Sequence, residues 1–185
     1  MSRQQCAAEA ARVACLIVGV LAVASAEARC AAARWPNRFE AVVLRVKDGD
    51  SLVVRRPSGF PGPAERTVRL ARIDAPEYDQ PHGQASRLWL RERVRLRLLA
   101  FETVATDRYC RLLVHAGAPG EPTDALNLAL VAAGHAWVEA RETDPRYRRA
   151  EAAARKARRG LWADPAPIPP AEWRRRKAGR AGGAR

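Results

Sequence analysis

Residues 68–77 read Val68-Arg69-Leu70-Ala71-Arg72-Ile73-Asp74-Ala75-Pro76-Glu77. The stretch begins with β-forming residues interleaved with polar ones, which is typical of a strand with one buried face. Pro76 ends that strand, because proline has no backbone N–H for a sheet and disfavours helix at the preceding residue. Asp74 and Glu77 therefore lie where a strand ends, with Arg69 upstream on the same strand. Two carboxylates and a guanidinium are an unusual choice for a core, and they suit metal-assisted chemistry on a phosphate group.

The chain on either side of this stretch predicts a small β-barrel. Strands are predicted at residues 39–46, 51–56, 66–73, 94–101 and 111–115. Lys47-Asp48-Gly49-Asp50 joins the first two, because Asp-Gly is a strong hairpin signal. Helices are predicted near residues 85–92 and 126–134, and from a cap at Asp144 to an end at Gly160. Five strands with about three helices indicate an α+β, β-rich chain built on an oligonucleotide-binding (OB) barrel.

The 185-residue chain divides into a signal peptide, a short lead-in, the barrel domain and a proline-rich, then basic tail. These predicted segments are residues 1–26, 27–38, 39–163 and 164–185, in that order. The first has Arg3 and Arg12, an apolar run at residues 13–23 and then Ala24-Ser25-Ala26, the tripartite pattern of a cleaved signal. We therefore expect export, to the periplasm or out of the cell. An uncleaved membrane anchor and a helix of the folded domain are the alternatives.

The formal net charge of +13 predicts a polyanionic partner, either nucleic acid or an anionic membrane surface. The alternative is a high-GC genome, since arginine and alanine are both abundant. After signal cleavage the chain keeps Cys30 and Cys110, and an oxidising compartment favours their pairing. A disulfide between them is a prediction, with a loose arm and a small buried Cys110 as the alternative. Neither Cys-x-x-Cys nor a Cys/His cluster with zinc spacing occurs, so we expect no structural zinc site.

Three short segments contain the candidates for chemistry. They are Asp48-Gly49-Asp50, Arg69 with Asp74 and Glu77, and Asp107-Arg108-Tyr109-Cys110-Arg111. Each has a structural alternative, which is a plain turn for the first, a helix cap for Asp-Ala-Pro-Glu and a solvated loop for the third. The scattered histidines have no nucleophile placed to pair with them, so we interpret them as structural or exposed.

These segments resemble motifs of the staphylococcal nuclease (thermonuclease) family, in the family's order and spacing. The matching stretches are Lys47-Asp48-Gly49-Asp50-Ser51-Leu52, residues 68–77, Asp107-Arg108-Tyr109-Cys110-Arg111 and Asn127-Leu128-Ala129-Leu130-Val131-Ala132-Ala133-Gly134. Gly160-Leu161-Trp162 and Glu172-Trp173-Arg174 also resemble the end of the family's exported bacterial members. The resemblance covers roughly residues 39–174.

The resemblance implies an OB-barrel endonuclease that binds one Ca²⁺ ion and cleaves DNA, RNA or both to 3′-phosphate and 5′-hydroxyl ends. The metal ligands that it implies are Asp50, Asp74 and the backbone carbonyl of Ala75. Glu77 would position or deprotonate the attacking water, while Arg69 and Arg111 would hold the scissile phosphate. The residue chemistry agrees, because hard oxygen ligands suit Ca²⁺ and guanidinium forks oppose the charge that a phosphodiester gathers in its transition state.

Substrate contacts are also predicted for Arg108, Tyr109 and Arg141. Arg141 lies in Glu139-Ala140-Arg141-Glu142, where the family's type member has tyrosines that flank the bound nucleotide, so we expect a phosphate contact there instead of base stacking. Cys110 stands where glycine is usual. By strand alternation Arg69 and Asp74 have opposite parity, so a bulge or the end of the strand has to bring them together.

Two other classes of protein compete with the exported Ca²⁺-dependent nuclease. One is a catalytically silent OB module that binds nucleic acid, and the other is a membrane-associated basic adaptor. A silent module has no need of the full set Asp50, Arg69, Asp74, Glu77 and Arg111. We expect no stable membrane association after signal cleavage and no obligate protein partner. The preference for DNA or RNA and the endo or exo mode stay open.

Overall fold

The computed structural model describes residues 35–56 and 64–182. The predicted signal peptide, most of the predicted lead-in and Cys30 lie outside these residues. Among the helices of the two described ranges, none is both long and apolar enough to cross a membrane.

Five strands close into a barrel, as predicted. They are β1 (Arg38–Val46), β2 (Ser51–Arg55), β3 (Glu65–Leu70), β5 (Leu98–Thr106) and β6 (Leu112–Gly117). They pair in the order β1-β2-β3-β6-β5 and close back on β1. Four of the pairs are antiparallel, and β3 pairs with β6 in parallel. A second, short sheet pairs β4 (Ile73–Asp74) with β7 (Trp137–Val138).

The described residues form four α-helices, one more than the sequence predicts. They are α1 (Gly83–Val94), α2 (Ala125–Ala132), α3 (Pro145–Lys156) and α4 (Pro170–Gly182), and a 3-10 helix spans Gly160–Ala163. Asp144 caps α3 as predicted, since its Oδ1 accepts a hydrogen bond of 2.8 Å from the backbone N–H of Arg146. The helix ends before Gly160, which has a φ of 54° and begins the 3-10 helix.

The structure differs from the prediction at the fourth strand and in the C-terminal tail. Val94 does not begin a strand, because it is the last residue of α1, one helical turn after Leu90, and both side chains are buried. The next strand, β5, begins at Leu98 and continues past its predicted end at residue 101 to Thr106, which pairs with Leu112 of β6. The segment predicted as a tail contains α4, which starts at Pro170, a residue favoured in the first helical turn.

One buried amide fixes the barrel to the part of the chain that holds the candidate site. Asn127 of α2 is fully buried, and its Oδ1 accepts a 3.0 Å hydrogen bond from the N–H of Ala116 in β6. Its Nδ2 donates to the carbonyls of Ala71 and Val114, at 3.0 and 3.1 Å. Because Ala71 directly follows β3, these bonds fix the turn from which Asp74 emerges.

Candidate active site

A turn after β3 brings Arg69 and Asp74 together. β3 ends at Leu70, and β4 begins at Ile73 in a different sheet. Between them Arg72 has a φ of 68°, in the left-handed region that non-glycine residues rarely occupy. The strand alternation is therefore interrupted, and Nη2 of Arg69 donates to Oδ1 of Asp74 at 2.8 Å. The parity conflict between these residues is resolved by the end of the strand, one of the two solutions that the sequence predicts.

Asp50, in the turn between β1 and β2, contacts the same guanidinium. Its Oδ1 accepts hydrogen bonds from Nη1 of Arg69 at 2.6 Å and from the Ser51 hydroxyl at 3.0 Å. Its Oδ2 accepts from the backbone N–H of Ala75 at 3.0 Å. The side chains of Asp50 and Asp74 thus converge on the two terminal nitrogens of one planar group.

The charges in this group depend strongly on one another. Burial raises the pKa of Asp50 to about 7, although Arg69 and the N–H of Ala75 act in the opposite direction. Burial lowers the pKa of Arg69, but the carboxylates of Asp50 and Asp74 outweigh it and the net shift is upward. Carboxylates taken out of water need a nearby positive charge, which Arg69 supplies here.

The residues predicted to bind the metal supply oxygen ligands of the type that Ca²⁺ takes. Asp50 and Asp74 contact the two terminal nitrogens of Arg69, and Ala75, whose N–H contacts Asp50, follows Asp74 in the chain. Within the part of the chain that the structure describes, no group of three or more His, Cys, Asp or Glu residues is placed to hold a metal ion. Ca²⁺ accepts a mixed shell of carboxylate oxygens, carbonyl oxygens and water.

Glu77 lies beyond Asp74 and contacts Arg174, for which the sequence predicts no role in the site. Its Oε1 accepts a 2.5 Å hydrogen bond from Nη1 of Arg174, and Nη2 of Arg174 donates to Oδ2 of Asp74 at 3.1 Å. Arg174 belongs to α4. The only sequence signal for it is its place in Glu172-Trp173-Arg174, because nothing in the sequence places residue 174 beside residue 77.

Arg111 directly precedes β6 and is held by Asp107. Its Nε donates to Oδ2 of Asp107 at 2.7 Å, and its backbone N–H donates to Oδ1 at 2.9 Å. In the parallel pair of β3 and β6, Arg69 lies opposite Leu113, two residues after Arg111. The shared role of the two arginines in phosphate binding stays a prediction.

The other predicted substrate contacts are exposed. Tyr109 is 68% exposed, and the guanidinium carbons of Arg108 and Arg111 lie 5.1 and 5.7 Å from its ring centroid. These three side chains form one group. Arg141 is exposed in the turn after β7, and among the described residues no hydrogen bond or ion pair joins it to the site.

Cys110 occupies a backbone conformation that explains why glycine is usual at this position. Its φ is 58°, in the left-handed region. Its N–H donates to the carbonyl of Asp107 at 2.9 Å, and its carbonyl accepts from Arg66 at 3.1 Å. Cys110 is disulfide-bonded, with a partner outside the described residues, so the pairing with Cys30 stays a prediction.

Comparison with known proteins finds relatives that cover most of the chain. A family model described as "Staphylococcal nuclease homologue" matches residues 67–164. A protein of Escherichia coli O157:H7 named "Uncharacterized endonuclease" is 37% identical over 136 residues, which are 73% of this chain and 84% of that protein. A "Micrococcal nuclease" of Shigella flexneri is 34% identical over 152 residues, or 76% of this chain and 83% of that protein.

Proposed function

The chain belongs to the staphylococcal nuclease family and is a nuclease, and we propose that it depends on Ca²⁺ and hydrolyses DNA, RNA or both to 3′-phosphate and 5′-hydroxyl ends. The observation that carries this proposal is the convergence of Asp50 and Asp74 on Arg69, at 2.6 and 2.8 Å, beside Glu77. A catalytically silent module has no need of these carboxylates, since binding a polyanion is served by cations alone.

Asp50, Asp74 and the carbonyl of Ala75 would hold the ion. When bound, Ca²⁺ would supply positive charge to a phosphate oxygen and oppose the negative charge that develops during the reaction. Arg69 is then no longer needed to neutralise the two aspartates. Its terminal nitrogens, together with those of Arg111, are free to bind phosphate oxygens as planar, charge-assisted donors.

Glu77 accepts a proton from the water that attacks the phosphorus. Its side chain is 36% exposed, so a water molecule and a phosphate can both reach it. The bond from the water oxygen to phosphorus forms and the bond to the 5′ oxygen breaks, while the proton of the water passes to Glu77. The leaving oxygen takes a proton from solvent, which gives the 3′-phosphate and 5′-hydroxyl ends.

The test is digestion of plasmid DNA and of a structured RNA by the purified protein, with Ca²⁺ or with excess chelator. We expect cleavage with Ca²⁺ only, and products that a 3′-phosphatase converts to primer ends. Binding without cleavage in every divalent ion would favour the silent module. Full activity in chelator would contradict the metal mechanism.

We also propose that the protein is exported. The pattern of residues 1–26 and the disulfide-bonded state of Cys110 support this, because disulfides persist in oxidising compartments. N-terminal sequencing of protein from the periplasm and the medium should find a chain that begins after Ala26. An intact Met1 on protein from the membrane fraction would favour the anchor instead.

A further inference from the structure

The C-terminal helix α4 is fastened to the loop that carries Glu77. Just before the helix, Nε2 of Gln80 donates to the carbonyl of Ile168 at 2.5 Å. Within it, the indole N–H of Trp173 donates to Oδ1 of Asp79 at 3.3 Å, and Nζ of Lys177 donates to Oδ2 at 2.5 Å. Trp173 and Lys177 are one helical turn apart, so a single aspartate holds one face of α4 in place.

This attachment places Arg174 between two residues of the active site. Its guanidinium bridges Oε1 of Glu77 and Oδ2 of Asp74, at 2.5 and 3.1 Å, and its side chain is 48% exposed. It is more exposed than Asp74 and Glu77, whose side chains are 18% and 36% exposed. Because it contacts both carboxylates, a phosphate that binds beside them is within reach of this guanidinium.

The charge of the site favours a second guanidinium. Asp50, Asp74 and Glu77, when ionised, carry three negative charges, and the guanidinium groups that contact them in the free protein are those of Arg69 and Arg174. Partly buried carboxylates this close together need nearby positive charge.

We propose that Arg174 is a third active-site arginine, which contacts a non-bridging oxygen of the scissile phosphate during the reaction. α4 carries it to the site, and in the free enzyme its guanidinium pairs with Asp74 and Glu77. The assignment rests on the proposed function, because it takes Asp74 as a metal ligand and Glu77 as the acceptor of the water proton.

The experiment compares the full-length protein with Arg174→Gln, Arg174→Lys and the matched control Arg175→Gln, an exposed arginine of the same helix. Steady-state cleavage of a single-stranded oligonucleotide is measured in saturating Ca²⁺. We expect kcat/KM of Arg174→Gln to fall roughly 10-fold to 100-fold, mainly through kcat. This loss is smaller than the loss typical of a buried donor, because Arg174 is half exposed. Arg174→Lys keeps the charge but loses the fork and should recover part of the rate. Arg175→Gln should stay within about threefold of the parent, as expected for an exposed side chain away from the reacting atoms.

Ca²⁺ affinity, measured by calorimetry without nucleic acid, gives a second readout. Arg174→Gln should bind Ca²⁺ roughly twofold to fivefold more tightly, because a cation that competes for Asp74 is gone. Slower turnover with tighter metal binding is a combination that misfolding does not produce. Asp79→Asn, which loosens α4, should slow the parent but not Arg174→Gln, since both changes act through one contact.

Parental kcat/KM in Arg174→Gln would overturn the assignment. A faster rate would also overturn it and would show that Arg174 inhibits cleavage by occupying the site. Weaker Ca²⁺ binding together with a lower melting temperature would assign it a structural role. The proposed function fails separately, if the parent protein itself does not cleave in Ca²⁺ or if Glu77→Gln cleaves at the parental rate.

Discussion

Asp50→Asn should stabilise the metal-free protein while it removes a metal ligand. Burial raises the pKa of Asp50 to about 7, whereas the carboxyl titrates near 3.9 in an unfolded chain. A raised carboxyl pKa means that folding is favoured when the group is protonated. Its contribution to stability is therefore present below the unfolded pKa and is lost as the pH rises from about 4 to 7.

The magnitude follows from the contacts of the side chain. The ionisation of Asp50 lowers the free energy of unfolding by on the order of 4 kcal/mol at pH 7, because each unit of pKa shift corresponds to about 1.36 kcal/mol. Asp50 accepts from Arg69 with Oδ1 and from the N–H of Ala75 with Oδ2, whereas an asparagine has a single side-chain oxygen and can keep only one of these contacts. Losing one of these contacts costs about 1–2 kcal/mol. The net gain is roughly 2–3 kcal/mol, or about 5–10 °C in Tm for a domain of this size.

The assay is urea unfolding in excess chelator, at pH 7.5 and at pH 4.5, with Asp48→Asn as the matched control. Asp48 is only partly buried, and its replacement should change the free energy of unfolding by less than about 1 kcal/mol. The advantage of Asp50→Asn should shrink at pH 4.5. An Asp50→Asn protein that is less stable than the parent at pH 7.5, or an advantage that grows at low pH, would show that ionised Asp50 does not destabilise the fold.

Three further predictions concern the phosphate site, the turn after β3 and the disulfide. Arg69→Ala and Arg111→Ala should each lower kcat by ~10²–10³ while the circular dichroism spectrum is unchanged, because each removes a charged donor to the transition state; cleavage at the parental rate would mean that the site is misassigned. Asn127→Ala should cost about 2–4 kcal/mol in urea unfolding, because it leaves the buried N–H of Ala116 and the carbonyl of Ala71 without their amide partner; a loss under about 0.5 kcal/mol would contradict this role. The mature, unreduced protein should show no free thiol in a thiol titration, and two thiols per chain would exclude the bridge between Cys30 and Cys110.

The grouping of Asp74 and Glu77 with Arg69 at the end of a strand is predictable from sequence, because its signals are local. Asp74, Pro76 and Glu77 lie within a few residues of one another, and strand alternation alone showed that Arg69 needs the end of the strand to reach Asp74. The sequence does not show how the chain brings Arg69 and Asp74 together. The left-handed conformation of Arg72 interrupts the strand, and such a conformation leaves no signal at a non-glycine residue. The boundary between α1 and β5 was misplaced because Val94 is β-branched, which favours a strand, yet it completes the buried face of the helix.

The contribution of α4 could not be predicted for a different reason. The contacts of Arg174 with Asp74 and Glu77 join residues about a hundred positions apart, and they depend on how the helix packs after the barrel has formed. Prolines before the helix and a run of arginines in it are also typical of a solvated tail. The pairing of Trp173 and Lys177 with Asp79 is what distinguishes the two, and that pairing is tertiary.

Calorimetric titration of Ca²⁺ into the full-length parent protein and into Asp50→Asn shows directly whether Asp50 and Asp74, which share Arg69 in the free protein, bind one Ca²⁺ ion. We predict one Ca²⁺ per chain for the parent and no measurable binding for a folded Asp50→Asn protein. Equal Ca²⁺ affinity in the two proteins would exclude Asp50 as a ligand.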